Sequence, residues 1–179
     1  MTIRNIIRMG HPTLREIAKP YAPEDIGSKE FYSLIGDMKD TLEASGGIGL
    51  AAPQINVSEQ VVIIEVPDSG TRYGDTEALP FTVYINPKIS VIEEASAGYW
   101  EGCLSIPGMM GYVERPQHIV VDYLSDKGQK ESLELKGFLA TVFQHELDHL
   151  QGNLYIDHIK DLSLFTYENE YHEFHLKED

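Results

Sequence analysis

The stretch GFLATVFQHELDHLQG, Gly137 to Gly152, decides how the rest of the chain is read. Phe138, Leu139, Val142, Phe143, Leu147 and Leu150 put apolar side chains on nearly every face of a helix, so the helix belongs inside the protein. Inside it sits the pattern H-E-x-x-H: His145, Glu146, His149. Residues four apart lie one turn along and about 40° round. Both imidazoles therefore point the same way and can share one cation. Glu146 follows the first of them, about 100° round. It can reach a metal-bound water without being a ligand, which is the position of a hydrolytic base.

Outward from this helix the chain alternates strand and turn signals. Upstream, Phe31, Leu34, Ile35, Met38 and Leu42 recur at spacings of three and four. They predict an amphipathic helix over 29–44, with Ser28 as N-cap and Gly46–Gly47 as its stop. QVVIIEV, Gln60 to Val66, is a β-branched run that reads as a strand buried on both faces. A polar loop follows from Pro67 to Pro80, then a strand over Phe81–Pro87 and further strand pieces up to Gly102. Residues 111–135 alternate and turn at Ser125–Gly128, which predicts a hairpin. The tail from Asp161 to Asp179 is acidic and predicts a third helix, with Leu164, Phe165 and Tyr171 facing inward. The whole predicts an α+β fold: mainly antiparallel sheets packed around a central metal-binding helix, flanked by an N-terminal and a C-terminal helix.

With 179 residues, 42% of them hydrophobic, the chain has the length of one domain and enough apolar residues for a core. A formal charge of −15 argues against binding nucleic acid or an anionic membrane surface. The one cysteine, Cys103, excludes an internal disulfide. No run approaches the roughly 18 apolar residues of a membrane span, and Met1–Gly10 lacks the apolar core of a signal peptide. The expected location is the cytoplasm.

Two histidines leave a catalytic metal one protein ligand short. Asp148, Asp157, His158, His172 and His175 lie downstream or nearby; upstream stands EGCLSIPG, Glu101 to Gly108, with the only thiol. A third stretch, GGIGLAAPQ (Gly46 to Gln54), is nearly stripped of side chains before it ends on an amide. Glycine and alanine there leave room for backbone to come close to a metal and a substrate.

Taken together, GIGLAAPQ (Gly47–Gln54), EGCLS (Glu101–Ser105) and QHELDHLQG (Gln144–Gly152) resemble the three signature blocks of the peptide deformylase family, in the family's order. The opening RMGHPTLREIAKP is also similar to the family's start. The resemblance runs over roughly 3–159. It implies Cys103, His145 and His149 as ligands of one divalent metal ion, natively ferrous iron, with zinc, nickel or cobalt able to take the site. It implies Glu146 as proton carrier, and Gln54 with the backbone N–H of Leu104 as holders of the developing oxyanion. The implied substrate is the formyl-methionyl end of newly made polypeptides, and formate is the product. Some members dock on the ribosome through a basic C-terminal helix; the acidic YENEYHEFHLKED here offers no such helix.

The chemistry of the residues agrees with that resemblance. Hydrolysis of a formamide needs a place for negative charge, and Gln54 can donate through its NH2 without adding charge. A substrate peptide can pair along Gly47–Gly49 as an added strand. Phe138, Thr141 and Val142 share a face with His145 and, with Ile48 and Gly49, are expected to line a slot for methionine. Arg115 and Asp148 are expected to pair and brace the ligand helix. Glu101 is expected to accept a hydrogen bond from behind a ligand. A peptidase built on the same motif would draw its third ligand from downstream, which the setting of Cys103 argues against.

Overall fold

The computed structural model describes residues 2–67 and 78–176. Most of the expected Pro67–Pro80 loop, Tyr73 included, lies outside the described residues. Helix α1 runs Lys29–Ser45. Ser28 Oγ accepts from the Phe31 N–H at 3.0 Å and satisfies one of the orphan donors of the first turn. Gly46 ends the helix at φ 67°, a left-handed conformation that glycine adopts without a Cβ clash.

The strands form one antiparallel sheet in the order β1 (Gly49–Ala51), β2 (Val61–Val66), β3 (Leu79–Cys103), β4 (Ile106–Leu124) and β5 (Lys130–Lys136), with β6 (Phe165–Tyr167) added on β4. Strands β3 and β4 pair almost end to end, from Ile85 with Leu124 to Cys103 with Ile106. Register shifts at Val91/Glu93 and Glu93/Ser96 break the ladder midway, the places where a long ribbon can bend and twist. The separate strand pieces expected between Phe81 and Gly102 are thus one continuous strand. The predicted hairpin is present: Gly128 N–H donates to the Ser125 carbonyl at 2.9 Å between β4 and β5.

β2 shows why its sequence is apolar throughout. Val61 and Ile63 face one side, against Phe31, Met38 and Leu42 of α1. Val62, Ile64 and Val66 face the other, where helix α2 (Gly137–Leu150) packs Leu139, Ala140, Val142, Phe143, Leu147 and Leu150. Period-two alternation in a strand with both faces covered gives an unbroken hydrophobic run. Phe31 and Phe143 are fully buried, and removing either ring would cost about 3–5 kcal/mol.

The tail departs from expectation. Instead of one helix it forms a 3-10 turn at Leu162–Leu164, the strand β6, and a short helix α3 (Glu168–Phe174). Phe165 packs partly buried against the third core cluster, and β6 pairs with Met109–Gly111 of β4. The pairing wins because a two-turn acidic helix buries too little to compete with backbone bonds to an available edge. Among the described residues, no helix is long and apolar enough to cross a membrane.

Candidate metal centre and substrate pocket

Cys103 is the last residue of β3. The chain turns at Leu104–Ser105 and leaves as β4 from Ile106. This tight return carries the thiol to the face of α2 that presents His145 and His149. One ligand atom from each of the three residues lies within 4.8 Å of the others. Cys103 Sγ and His149 Nε2 are 3.4 Å apart, and the two imidazoles lie with ring centroids 5.3 Å apart. Cys103 and His149 are buried, and only 11% of the His145 side chain is exposed.

His145 is held from behind, whereas the buried Nδ1 of His149 has no hydrogen-bond partner among the described residues. His145 Nδ1 donates to Glu101 Oε2 at 2.8 Å, which leaves Nε2 for the centre. Arg115 grips the same carboxylate twice, Nε on Oε1 at 2.7 Å and an Nη on Oε2 at 3.1 Å. Its other Nη reaches Asp148 Oδ2 at 2.8 Å, and Asp148 also meets His158 Nε2 at 2.9 Å. The expected Arg115–Asp148 pair is therefore one link of a longer chain. His158, weighed in the sequence as a third ligand, belongs to that chain instead. Burial acts to raise the Glu101 carboxyl, but hydrogen bonds from His145 and Arg115 outweigh it and hold the pKa low. Glu101 thus stays ionised in a place where a carboxylate alone would be costly.

The electrostatics favour a cation. Burial would push the Cys103 thiol up, yet the charge on His149 and hydrogen bonds from His145 and His149 hold it well below its ordinary range. Burial disfavours a charged His145, yet hydrogen bonds to Cys103 and Glu101 hold its pKa well above the usual imidazole value. The Cys103 thiolate sits where the two imidazoles converge, and the Glu101 carboxylate backs one of them. One thiolate and two imidazoles form a donor set suited to a borderline divalent ion such as Zn2+ or Fe2+, so these residues fit a metal.

Glu146, buried beside His145, packs its carboxylate over Gly49. A Cβ built at Gly49 would lie 2.5 Å from Oε1 and 2.7 Å from Cδ. The bare backbone at Gly49 makes room for the acid. Oε2 of Glu146 is buried and has no hydrogen-bond partner among the described residues. Burial, as the largest influence, raises its pKa, which makes it a stronger base once ionised.

Gln54 is held at both ends. Its Oε1 accepts from the Ala51 N–H at 2.9 Å. A backbone N–H can only donate, so the oxygen must be on that side and the NH2 on the other. Nε2 then lies 3.3 Å from Ser105 Oγ and 3.6 Å from Cys103 Sγ. The N-terminal segment ties the same two residues by backbone, Ile7 N–H to the Gln54 carbonyl and Met9 N–H to the Ser105 carbonyl, both at 2.9 Å. Ser105, fully buried, and this N-terminal brace were not singled out in the sequence. A serine two residues after a ligand on a tight turn was the available signal.

A pocket opens beside the centre. Ile48, Gly49, Phe138, Thr141 and Val142 line it together with Gln54, Leu104 and Glu146. So does Trp100. Tyr99 packs edge-on against Phe138, with ring centroids 5.6 Å apart.

Comparison with known proteins agrees with this geometry. The family model described as polypeptide deformylase matches residues 3–164. A peptide deformylase of Leptospira biflexa is 39% identical over 170 residues, 95% of each chain. Peptide deformylase 1 of Nitrosomonas europaea is 45% identical over 165 residues, 92% of each chain. The solved class I type b peptide deformylase of Acinetobacter baumannii with bound Met-Ala-Ser superposes with TM-score 0.84 at 33% identity. That match covers 88% of this chain and 99% of the other.

Proposed function

The chain belongs to the peptide deformylase family, and from that premise we propose how its residues do the work. The enzyme is a metal-dependent hydrolase. It removes the formyl group from the N-terminal formyl-methionine of newly made polypeptides and releases formate. The observation that carries this reading is the convergence of Cys103, His145 and His149 beside Glu146 and Gln54 on one pocket.

Cys103, His145 and His149 hold the metal, which we assign as ferrous iron; zinc, nickel or cobalt would satisfy the same donors. When bound, the ion supplies Lewis acidity that lowers the pKa of water and polarises a carbonyl oxygen. Glu146 takes the proton of the attacking water at its buried carboxylate and delivers it to the leaving amine of methionine. Gln54 Nε2, fixed by Ala51 and Ser105, donates to the oxygen that becomes negative as the formyl carbon turns tetrahedral. The Leu104 N–H, next to Cys103 on the turn, is assigned as a second donor to that oxygen.

The methionine side chain occupies the slot of Ile48, Gly49, Phe138, Thr141 and Val142. The peptide beyond it pairs with the outer edge of β1, the terminal strand of the sheet. Main-chain pairing suits an enzyme that must accept many sequences. Met-Ala-Ser in the Acinetobacter enzyme supports a peptide N-terminus as the partner. Residues 1–179 act as one catalytic unit, since the proposed ligands come from β3 and α2. A nascent-chain substrate suits an enzyme of the cytoplasm working near the ribosome, and among the described residues the C-terminal helix α3 is acidic rather than basic.

The test compares formyl-Met-Ala-Ser with acetyl-Met-Ala-Ser. The expected result is formate and free Met-Ala-Ser from the first and no reaction with the second. Cleavage of the Met–Ala bond would instead mark a peptidase.

A further inference from the structure

The family model ends at residue 164, yet the chain beyond it returns to the pocket. β6 anchors Phe165–Tyr167 to Met109–Gly111 of β4. This brings α3 over the indole of Trp100. The Trp100 ring lies 5.0 Å from the Tyr171 ring and 4.8 Å from the His175 ring, centroid to centroid. On another side it meets Tyr112 at 5.9 Å. Trp100 also lines the substrate pocket. One residue thus joins the C-terminal segment to the place where substrate binds.

The position of Trp100 along β3 says which part of the substrate it meets. Alternate residues of a strand face opposite ways. Glu101 and Cys103 are buried at the metal centre, whereas Trp100, Gly102 and Leu104 are only half-buried. The floor of the pocket comes from the metal-binding face of α2 and from Ile48. Among the lining residues Thr141, Val142 and Glu146 are buried, whereas Trp100 is half-buried and carries α3 on its ring, which puts it on the solvent-facing side of the pocket, where the peptide leaves once its methionine is seated. An indole offers a wide apolar wall at low entropic cost. The rings of Tyr171 and His175 hold it on one side and Tyr112 on another.

Resting on the deformylase reading, we propose that Trp100 is a specificity-determining residue for the substrate side chains that follow methionine, and that Tyr171 positions it. The C-terminal segment then acts on substrate selection through one side chain rather than through docking. The ligands preferred at the mouth are apolar or aromatic residues downstream of formyl-methionine, because the wall they meet is aromatic.

The test uses the full-length metal-loaded enzyme on two substrates, formyl-methionine amide, which ends at the pocket, and formyl-Met-Leu-Phe, which passes through its mouth. Trp100→Ala should lower kcat/KM for formyl-Met-Leu-Phe about tenfold, the scale of one lost aromatic contact, mainly by raising KM. Formyl-methionine amide should lose clearly less than the longer substrate, and an unchanged metal content and melting temperature show that the variant folds and binds metal. Tyr171→Ala should shift the same substrate in the same direction by about threefold, and Trp100→Phe should recover most of the loss. Equal losses on both substrates would mean a structural role and overturn the proposal. So would an unchanged KM for the longer one. A selective loss in Trp100→Ala without any in Tyr171→Ala would overturn the positioning role. Failure of the wild-type enzyme to release formate from either substrate would overturn the functional reading, and this inference with it.

Discussion

The Glu146 carboxylate rests on the α-carbon of Gly49: a methyl group there would sit 2.5 Å from Oε1. An edge strand and a buried carboxylate are thus built to fit each other, and the missing side chain at Gly49 leaves room for that carboxylate. Gly49→Ala must push one of them aside. We predict a fall in kcat of about 100-fold, the scale of a misplaced catalytic group, with bound metal unchanged. Steady-state kinetics with metal analysis on the same sample checks this.

Glu146→Gln keeps the shape of the side chain and removes the base. Metal content should equal that of the wild type, and turnover should fall by about 10²–10⁴-fold. A variant of near wild-type kcat would take Glu146 out of the reaction. The measurement is formate release under single-turnover conditions.

How much of this was legible beforehand differs by element. α1 and α2 were readable because apolar residues at helical spacing and a Ser28 cap leave a strong local record. β2 was readable because a strand with both faces covered must be β-branched throughout. β1 and β6, three residues each, leave no periodicity to detect, and β1 is disguised by its glycines. The tail reads as helix because its acidic composition carries no sign of the β4 edge that captures Phe165–Tyr167. At the site, His145, Glu146 and His149 follow from helical geometry alone. Cys103 does not, since only the β3–β4 turn brings it to α2, and the resemblance to a family was needed to choose it. Ser105 and Trp100 reach the pocket region through contacts with Gln54 and Tyr171, distant in sequence, so spacing could not mark them.

Ser105 Oγ accepts from Gln54 Nε2 at 3.3 Å and fixes the amide, while the other N–H of Nε2 is directed toward Cys103 Sγ at 3.6 Å and the centre. Ser105→Ala frees the amide to rotate. The expected loss in kcat is about tenfold, against about 10²–10³-fold for Gln54→Ala, with KM nearly constant in both. Parallel kinetics on the two variants, and on the double variant, measures whether they act as one unit.

Arg115 neutralises Glu101 and Asp148 together, at 2.7 Å and 2.8 Å. Arg115→Met leaves the Glu101 charge buried with His145 as its remaining partner. Stability should drop by about 3–5 kcal/mol, and metal affinity by about 10–100-fold, because the carboxylate that orients His145 is no longer fixed. Urea unfolding and competition with a chelator read the two effects separately.

The central claim is that one ion is held by a thiolate and two imidazoles that meet from β3 and α2. X-ray absorption at the metal edge of anaerobically purified enzyme tests it most directly. The account predicts one metal per chain with a single sulfur scatterer at about 2.3 Å and two imidazole nitrogens at about 2.0–2.1 Å, and loss of the sulfur signal in Cys103→Asp. A metal shell without sulfur in the wild-type enzyme would contradict it.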